Sequence, residues 1–194
     1  MRALPSRKRS LAATALFAFA ALYAFPFYPE LNNPNENVRV QMTAAIVFDG
    51  TFEISGPRER WGWVNDAACV QWSQDGTKQP CEGAMPRGDV RRYFSVKAPL
   101  TSLMGVPAYG LARLFGDDGS ELRPATLWLL RITASVLPMC LFFFFFHGWL
   151  GARVRSGFIR DTVFVATALG SVLLGYTYLF ASHSTSALSH TSVP

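Results

Sequence analysis

NNPNENVRVQMTAAIVFDGTFEI, the stretch from Asn32 to Ile54, decides the predicted fold together with YFSVKAPL, from Tyr93 to Leu100. Both segments lie in one long polar region that holds most of the charged side chains. Asn-Pro-Asn opens the first stretch with turn chemistry, and Asp49-Gly50 supplies a stop that is typical of a helix end. Val38 to Thr43 alternates apolar and polar residues as a strand does. Helix and strand therefore both stay open for this stretch.

The regions outside this polar segment are unusually poor in charge. Half of the 194 residues are apolar and only 16% are charged, whereas soluble domains average about 25% charged residues. Three long windows are almost free of charge, which predicts membrane helices and makes the lipid bilayer the first expected partner. Many of the basic residues behind the pI near 9.4 lie beside these windows. Membrane topology therefore explains them, and no nucleic-acid partner is expected.

The windows predict an all-α, multi-pass transmembrane protein with three spans. The first is Ser10–Pro29, within a segment 1–29 that begins in the cytoplasm; the second is Ile132–Ala152, within 125–152; the third is 162–182. Basic residues at the N-terminus and in the turn 153–161 place both on the cytoplasmic side of the plasma (inner) membrane, with an outer tail at 183–194. A signal peptide is the alternative for the first window. A secreted domain with a single anchor is the alternative for all three.

The segment 30–124 is predicted to be a long loop on the outer face. An amphipathic helix at about 98–115 is expected to lie on the membrane surface. Gly56 to Gly88 shows no periodicity and predicts a loop or small irregular insert. Cys69 and Cys81 lie in it, and on an oxidising face they can close a disulfide, or stay as two free thiols.

Three motifs together resemble a known family. They are Glu36-Asn37-Val38-Arg39, Asp49-Gly50-Thr51-Phe52 and Tyr93-Phe94-Ser95-Val96-Lys97-Ala98-Pro99-Leu100. Their order resembles the first outer loop of GT-C glycosyltransferases, the membrane enzymes related to protein O-mannosyltransferases and aminoarabinose transferases. The segment from Gly175-Tyr176 to Ser182-His183 also resembles a recurring family segment. The resemblance implies transfer of a sugar from a polyprenyl-phosphate donor to a protein or glycan acceptor at the outer face.

The same resemblance implies roles for individual residues. Glu36 takes the place of the family's first acid and is the candidate general base, with Asp66 and Asp49 in reserve. The candidate substrate-binding residues, which would hold the donor phosphate or the acceptor, are Arg39, Lys97, Tyr93 and His183. The family's second acid is replaced by Asn37.

Each of these residues also has a structural alternative. Glu36 can stabilise the N-terminus of a helix that begins near Val38, and Arg39 can pair with it at the surface. Lys97 can extend from a surface helix to water, Asp49 can serve a turn, and His183 can lie at the membrane interface.

The chain is expected to be the N-terminal part of such an enzyme, because three spans are few for a GT-C fold. No cofactor is expected, and the acidic residues lack metal-ligand spacing, so no metal is expected either. The alternative function is a non-catalytic membrane protein whose outer loop binds a partner or forms a scaffold. The sugar and the acceptor do not follow from the sequence.

Overall fold

The computed structural model describes residues 7–23, 31 and 33–180. The α-helices are α1 (Arg7–Tyr23), α2 (Pro34–Ala44), α3 (Ser55–Trp61), α4 (Leu100–Leu114), α5 (Pro124–Arg131), α6 (Leu137–Arg153), α7 (Gly157–Leu169) and α8 (Val172–Thr177). Two π-helical turns, Ala45–Asp49 and Ile132–Val136, continue α2 and join α5 to α6. The strands are β1 (Ala67–Trp72), β2 (Lys78–Pro80) and β3 (Val90–Ser95). The chain forms two compact units: a helical unit, Met1–Phe27 with Leu130–Pro194, and a sheet unit, Tyr28–Leu129.

The prediction of an all-α protein with three membrane spans is wrong. The sheet unit contains a three-stranded antiparallel sheet, and among the described helices only Pro124–Arg153 is long and apolar enough to cross a membrane. This helix has 30 residues, and 44% of its most apolar window is buried inside the structure. Length and composition alone qualify it as a candidate span.

Within the described residues, the other two windows do not qualify as continuous spans. α1 has 17 residues, about 26 Å at 1.5 Å per residue, and the remainder of its window lies outside the described residues. In the third window α7 ends at Leu169, and a new helix begins after Gly170. Ser171 caps that helix by accepting a hydrogen bond from the N–H of Leu173, so the window is divided into two short helices.

The stretch that stayed open between helix and strand is a helix. Asn33 caps α2, because its side-chain oxygen accepts a hydrogen bond from the N–H of Asn35 at 2.9 Å. The helix continues through the π-helical turn and ends at Gly50. There φ is +64°, a left-handed conformation that glycine adopts without steric cost. Asp49-Gly50 therefore acts as the helix stop that the sequence indicated.

The sheet lies largely in the segment that the sequence predicted to be irregular. Its strand order is β2-β1-β3, and Trp72 in the central strand pairs with Lys78 on one side and Val90 on the other. A tight turn at Asp75-Gly76 joins β1 to β2, with Gly76 at φ +84°. Cys69 and Cys81 form a disulfide whose Cα atoms lie 5.6 Å apart, which ties the central strand to the end of β2.

Each unit has its own apolar core. The core of the sheet unit comes mainly from α2 and from the segments before β1: Val38, Met42, Ala45, Ile54 and Val64. In the helical unit, the ring of Phe143 lies 4.4 Å from that of Phe17 and 5.7 Å from that of Phe164, measured between centroids. Phe143 belongs to a run of five phenylalanines, Phe142 to Phe146, that is only partly outward-facing: Phe143 is buried, whereas Phe145 is exposed.

Candidate functional site

The pairing of β1 with β3 brings two of the predicted site residues together. Ala67 is opposite Ser95 at the end of the ladder, so the residues just beyond that pair also meet. The N–H of Val96 donates to the carbonyl of Asp66 at 3.1 Å and extends the contact by one step. As a result the side chains of Asp66 and Lys97 lie next to each other.

Asp66 and Lys97 form an ion pair. The Nζ atom of Lys97 is 3.3 Å from Oδ2 of Asp66, and the two side chains are 28% and 26% exposed. The N–H of Lys97 also donates to Oγ of Ser95 at 3.0 Å, which anchors the backbone at this point. An ion pair in contact with water contributes at most about 1 kcal/mol to stability. Because both side chains are partly exposed, water and small anions can reach both charges. Because the pair contributes so little, separating the two charges costs little free energy.

Arg39 lies within electrostatic range of this pair. It is 5% exposed, and its Nη1 atom donates to the carbonyl of Asn35 one turn earlier at 2.8 Å. Burial lowers the pKa of Arg39, and the negative charge of Asp66 acts in the opposite direction. Because an arginine side chain stays charged even when buried, the carboxylate of Asp66 is influenced by a buried cation as well as by its direct partner Lys97.

Glu36 is buried, unlike Asp66. It lies in the first turn of α2 with 1% of its surface exposed. Asn33 and not Glu36 caps the helix, although a carboxylate in the first turn is favoured by the helix dipole. The spacing of three residues puts Glu36 and Arg39 on the same helix face. Of the two predicted catalytic carboxylates, Asp66 is the one that an acceptor hydroxyl can reach in this conformation.

Tyr93 is held by structural contacts. The guanidinium carbon of Arg58 lies 3.8 Å from the centroid of the Tyr93 ring, and the ring also packs against the apolar core of the sheet unit. Its backbone N–H donates to Oγ of Ser55 at 3.1 Å. These described partners belong to α3 and the core. The predicted role of Tyr93 in substrate binding stays a prediction.

The remaining candidates lie apart from this ion pair or outside the described part. Asp49, the second reserve base, pairs with Arg60 at 3.7 Å, so it joins the end of α2 to α3. His183 lies outside the described residues. Within the part of the chain that the structure describes, no group of three or more His, Cys, Asp or Glu side chains could hold a metal ion.

A second polar cluster, which none of the sequence motifs indicated, lies in the helical unit. Oγ of Ser10 is 3.1 Å from Nδ1 of His147, and Nε2 of His147 is 3.7 Å from the carboxylate of Asp161. Arg160 donates to the same carboxylate at 2.8 Å. Ser10 and His147 are 137 residues apart, so no local pattern in the sequence could connect them.

Comparisons of the chain with protein-family models, with curated proteins and with solved structures find no match. The functional interpretation therefore depends on the site geometry and on the motif resemblance alone.

Proposed function

We propose that this protein is part of an integral-membrane glycosyltransferase that moves a sugar from a polyprenyl-phosphate donor to an acceptor at the outer face of the plasma membrane. The observation that carries the proposal is the water-accessible ion pair of Asp66 and Lys97, with the guanidinium of Arg39 nearby. The motif resemblance supplies the class of donor. The geometry of the Asp66–Lys97 pair supports it with a carboxylate and a cation in contact, and the buried charge of Arg39 acts on Asp66 electrostatically.

The position of Lys97 relative to α4 supports a lipid-linked donor. α4 begins at Leu100, three residues after Lys97, and exposes large apolar side chains along one stripe: Leu100, Leu103, Leu111 and Leu114. The opposite face is buried and, apart from the large ring of Tyr109, is small or polar, with Thr101, Ser102, Gly105 and Ala108. A helix with this distribution fits the membrane interface. It would hold Lys97 at the depth of lipid phosphates.

The proposed reaction uses the ion pair as an exchangeable contact. The donor phosphate binds Lys97 and displaces the carboxylate of Asp66. Asp66 then accepts the proton of the acceptor hydroxyl, whose oxygen bonds to the anomeric carbon of the sugar. The bond between that carbon and the phosphate oxygen breaks, and polyprenyl phosphate leaves with both bonding electrons. Lys97 stabilises its charge by direct contact, Arg39 adds the electrostatic field of a buried cation, and Glu36 balances the charge of Arg39 from the same helix face.

The test is photo-cross-linking of the full chain in membranes with a polyprenyl phosphate that carries a benzophenone. Lys97→Ala is expected to reduce labelling about tenfold, because a charge-assisted contact to phosphate is lost. Asp66→Asn is expected to increase labelling, because it removes the competing anion from Lys97. Lys78→Ala and Asp75→Asn are the matched controls: both residues are exposed in the β1–β2 hairpin, and neither variant should change labelling. Equal labelling of Lys97→Ala and wild type would refute the proposal.

A non-catalytic binding protein is the second candidate function. The outer face of the sheet favours it, because Trp72 lies between the cations of Lys78 and Arg92, at 5.4 and 5.0 Å from its ring centroid. Tryptophan and arginine are the residues that most often dominate binding at protein interfaces. If labelling is insensitive to Lys97 while Trp72→Ala abolishes co-purification of a partner with the full chain, this second function is correct.

A further inference from the structure

A cavity of about 570 Å³ lies inside the helical unit, between α1, α6 and α7. Arg9 near the start of α1, His147 in the last two turns of α6 and Arg160 in the first turn of α7 line it. Both α1 and α7 pack on α6. On the α1 side the wall consists partly of Ala12 and Ala13, whose short side chains leave the space unfilled. The lining of the cavity therefore includes arginines from near the starts of two of these three helices.

The polar part of this cavity carries more positive than negative charge. Its lining includes two arginines, Arg9 and Arg160, and one carboxylate residue, Asp161. Arg160 uses one N–H on Asp161 at 2.8 Å, which leaves several of its five N–H groups for another acceptor. Arg9 is exposed and has no carboxylate partner among the described residues. The cavity thus has the composition of an anion site.

The rest of the cavity is apolar. Leu16 of α1 and Phe164 and Val165 of α7 form this part of the wall. Ligand sites for small molecules occupy roughly 300–1,000 Å³, and this cavity falls within that range. A phosphate ion alone would occupy only its polar end. The apolar wall matches a hydrocarbon chain attached to the anion.

His147 gives the polar end a fixed wall, and Ser10, which does not line the cavity itself, holds the His147 ring in place. His147 is 3% exposed, and its two ring nitrogens face Ser10 and Asp161. Ser10 is also buried, at 4% exposed. Because both groups contact neighbours in other helices, the polar end is built by tertiary packing and not by one flexible segment. It is thus preorganised for a ligand.

We propose that this cavity binds the phosphate group of an anionic amphiphile. Arg9 and Arg160 hold the phosphate, since guanidinium groups bind phosphate oxygens in pairs of parallel hydrogen bonds. The hydrocarbon chain lies along Leu16 and Phe164. Asp161 is the internal competitor: it occupies Arg160 when the site is empty and turns to solvent when phosphate binds, as its exposed side chain permits. This site is independent of the proposed glycosyltransferase function.

The test is native mass spectrometry of the detergent-solubilised full chain with three probes: dihexanoyl phosphatidic acid, dihexanoyl phosphatidylcholine and inorganic phosphate. Phosphatidic acid is expected to bind the most tightly. Arg160→Gln and Arg9→Gln are each expected to weaken its binding about tenfold, while Asp161→Asn should strengthen it about threefold by removing the competing carboxylate. Arg155→Gln is the matched control, because Arg155 is an exposed arginine outside the cavity lining and the variant has the same change of charge.

The outcomes separate the sources of the phosphate. Binding of phosphatidic acid that depends on Arg9 and Arg160, with weak binding of inorganic phosphate, establishes an amphiphile site. If inorganic phosphate binds as tightly as phosphatidic acid and also depends on Arg9 and Arg160, the cavity is a phosphate site, and the proposed role of the apolar wall is overturned. If Arg155→Gln weakens binding as much as Arg9→Gln, the interaction is non-specific surface charge and the proposal fails. If Arg160→Gln does not fold, Arg9→Gln still tests the proposal, because Arg9 is exposed and its substitution should not disturb the fold.

Discussion

The hydroxyl of Ser102 in α4 donates a hydrogen bond to the main-chain carbonyl of Arg39 in α2 at 3.0 Å. Thr43 donates to that same carbonyl at 2.8 Å and also to the carbonyl of Ser102 at 3.2 Å. Hydrogen bonds from short side chains to the backbone of a neighbouring helix require the two helices to pack closely. The backbone of the candidate site residue Arg39 is therefore fixed by α4.

This contact predicts that position 102 tolerates a smaller side chain but not a larger one. Ser102→Ala should lower the free energy of unfolding by about 1 kcal/mol, because one of two hydrogen bonds to the Arg39 carbonyl is lost. Ser102→Leu should cost about 3 kcal/mol or more, since the fully buried site has no room for the extra atoms. Thermal unfolding of the solubilised protein measures both. Equal effects of the two substitutions would contradict close packing of α2 and α4.

Gly119 and Gly116 form a matched pair of glycines with positive φ. At Gly119, with φ +72°, an added Cβ would lie 2.7 Å from a ring carbon of Phe48. At Gly116, with φ +87°, it would meet nothing within 4 Å. The Phe48 ring cannot easily move, because Tyr109 lies edge-on to it at 5.4 Å and Arg113 lies 5.2 Å from its centroid.

We therefore expect Gly119→Ala to be more destabilising than Gly116→Ala. Gly116→Ala should cost about 1–2 kcal/mol from backbone strain alone. Gly119→Ala should cost that amount plus about 1–3 kcal/mol for the contact with Phe48. Chemical denaturation gives the free energy of unfolding of each variant, and the difference between the two variants reports the cost of the contact with Phe48. No difference would mean that the Phe48 ring moves freely.

The disulfide between Cys69 and Cys81 should stabilise the sheet unit. It closes a loop over a sequence separation of 12 residues, and loops of that size contribute about 2–4 kcal/mol by restricting the unfolded chain. Reduction by dithiothreitol should lower the Tm of the wild type and leave that of the Cys69→Ala/Cys81→Ala double variant unchanged. A wild-type Tm that does not respond to reductant, although thiol labelling shows reduction, would contradict this stabilising role.

The carboxyl group of Asp75, in the hairpin turn between β1 and β2, should titrate at low pH. The N–H and hydroxyl of Thr77 both donate to the carboxylate, and these bonds lower the pKa of Asp75 below its ordinary value near 3.8. A lowered carboxylate pKa means that the turn is stabilised above pH 3.8 and loses this stabilisation as the pH falls through the folded-state pKa. The amide chemical shift of Thr77 should report a midpoint below 3.8. Asp75→Asn is the control and should abolish the titration.

The local features of the sheet unit could be predicted from sequence better than its long-range pairing. α4 lies within the range 98–115 that amphipathicity indicated, and the Asp49-Gly50 stop ends the helical segment that begins with α2. The sheet was not predicted, because its strands are short and carry no clean alternation. Asp75-Gly76, a common hairpin turn, was the signal that could have revealed it.

The candidate site depends on contacts that sequence spacing does not encode. Asp66 meets Lys97 only because β1 pairs with β3 in one particular register. The polar cluster of the helical unit depends in the same way on Ser10 meeting His147. The third predicted span failed for a local reason: Gly170 and Ser171 supply a helix end and a new cap inside an apolar window. Hydropathy alone does not detect such a break.

α4 buries small and polar side chains and exposes large apolar ones, and this affects how the protein can be handled. Its small and polar residues face inward while Leu114 and neighbouring Phe115 are more than 80% exposed. A soluble preparation of the sheet unit would present this stripe to water and to other copies of itself, so aggregation is the expected result. Expression trials should keep a detergent or lipid present from the first extraction step. Replacing Leu111 and Leu114 with glutamate offers a route to a monodisperse fragment for crystallisation.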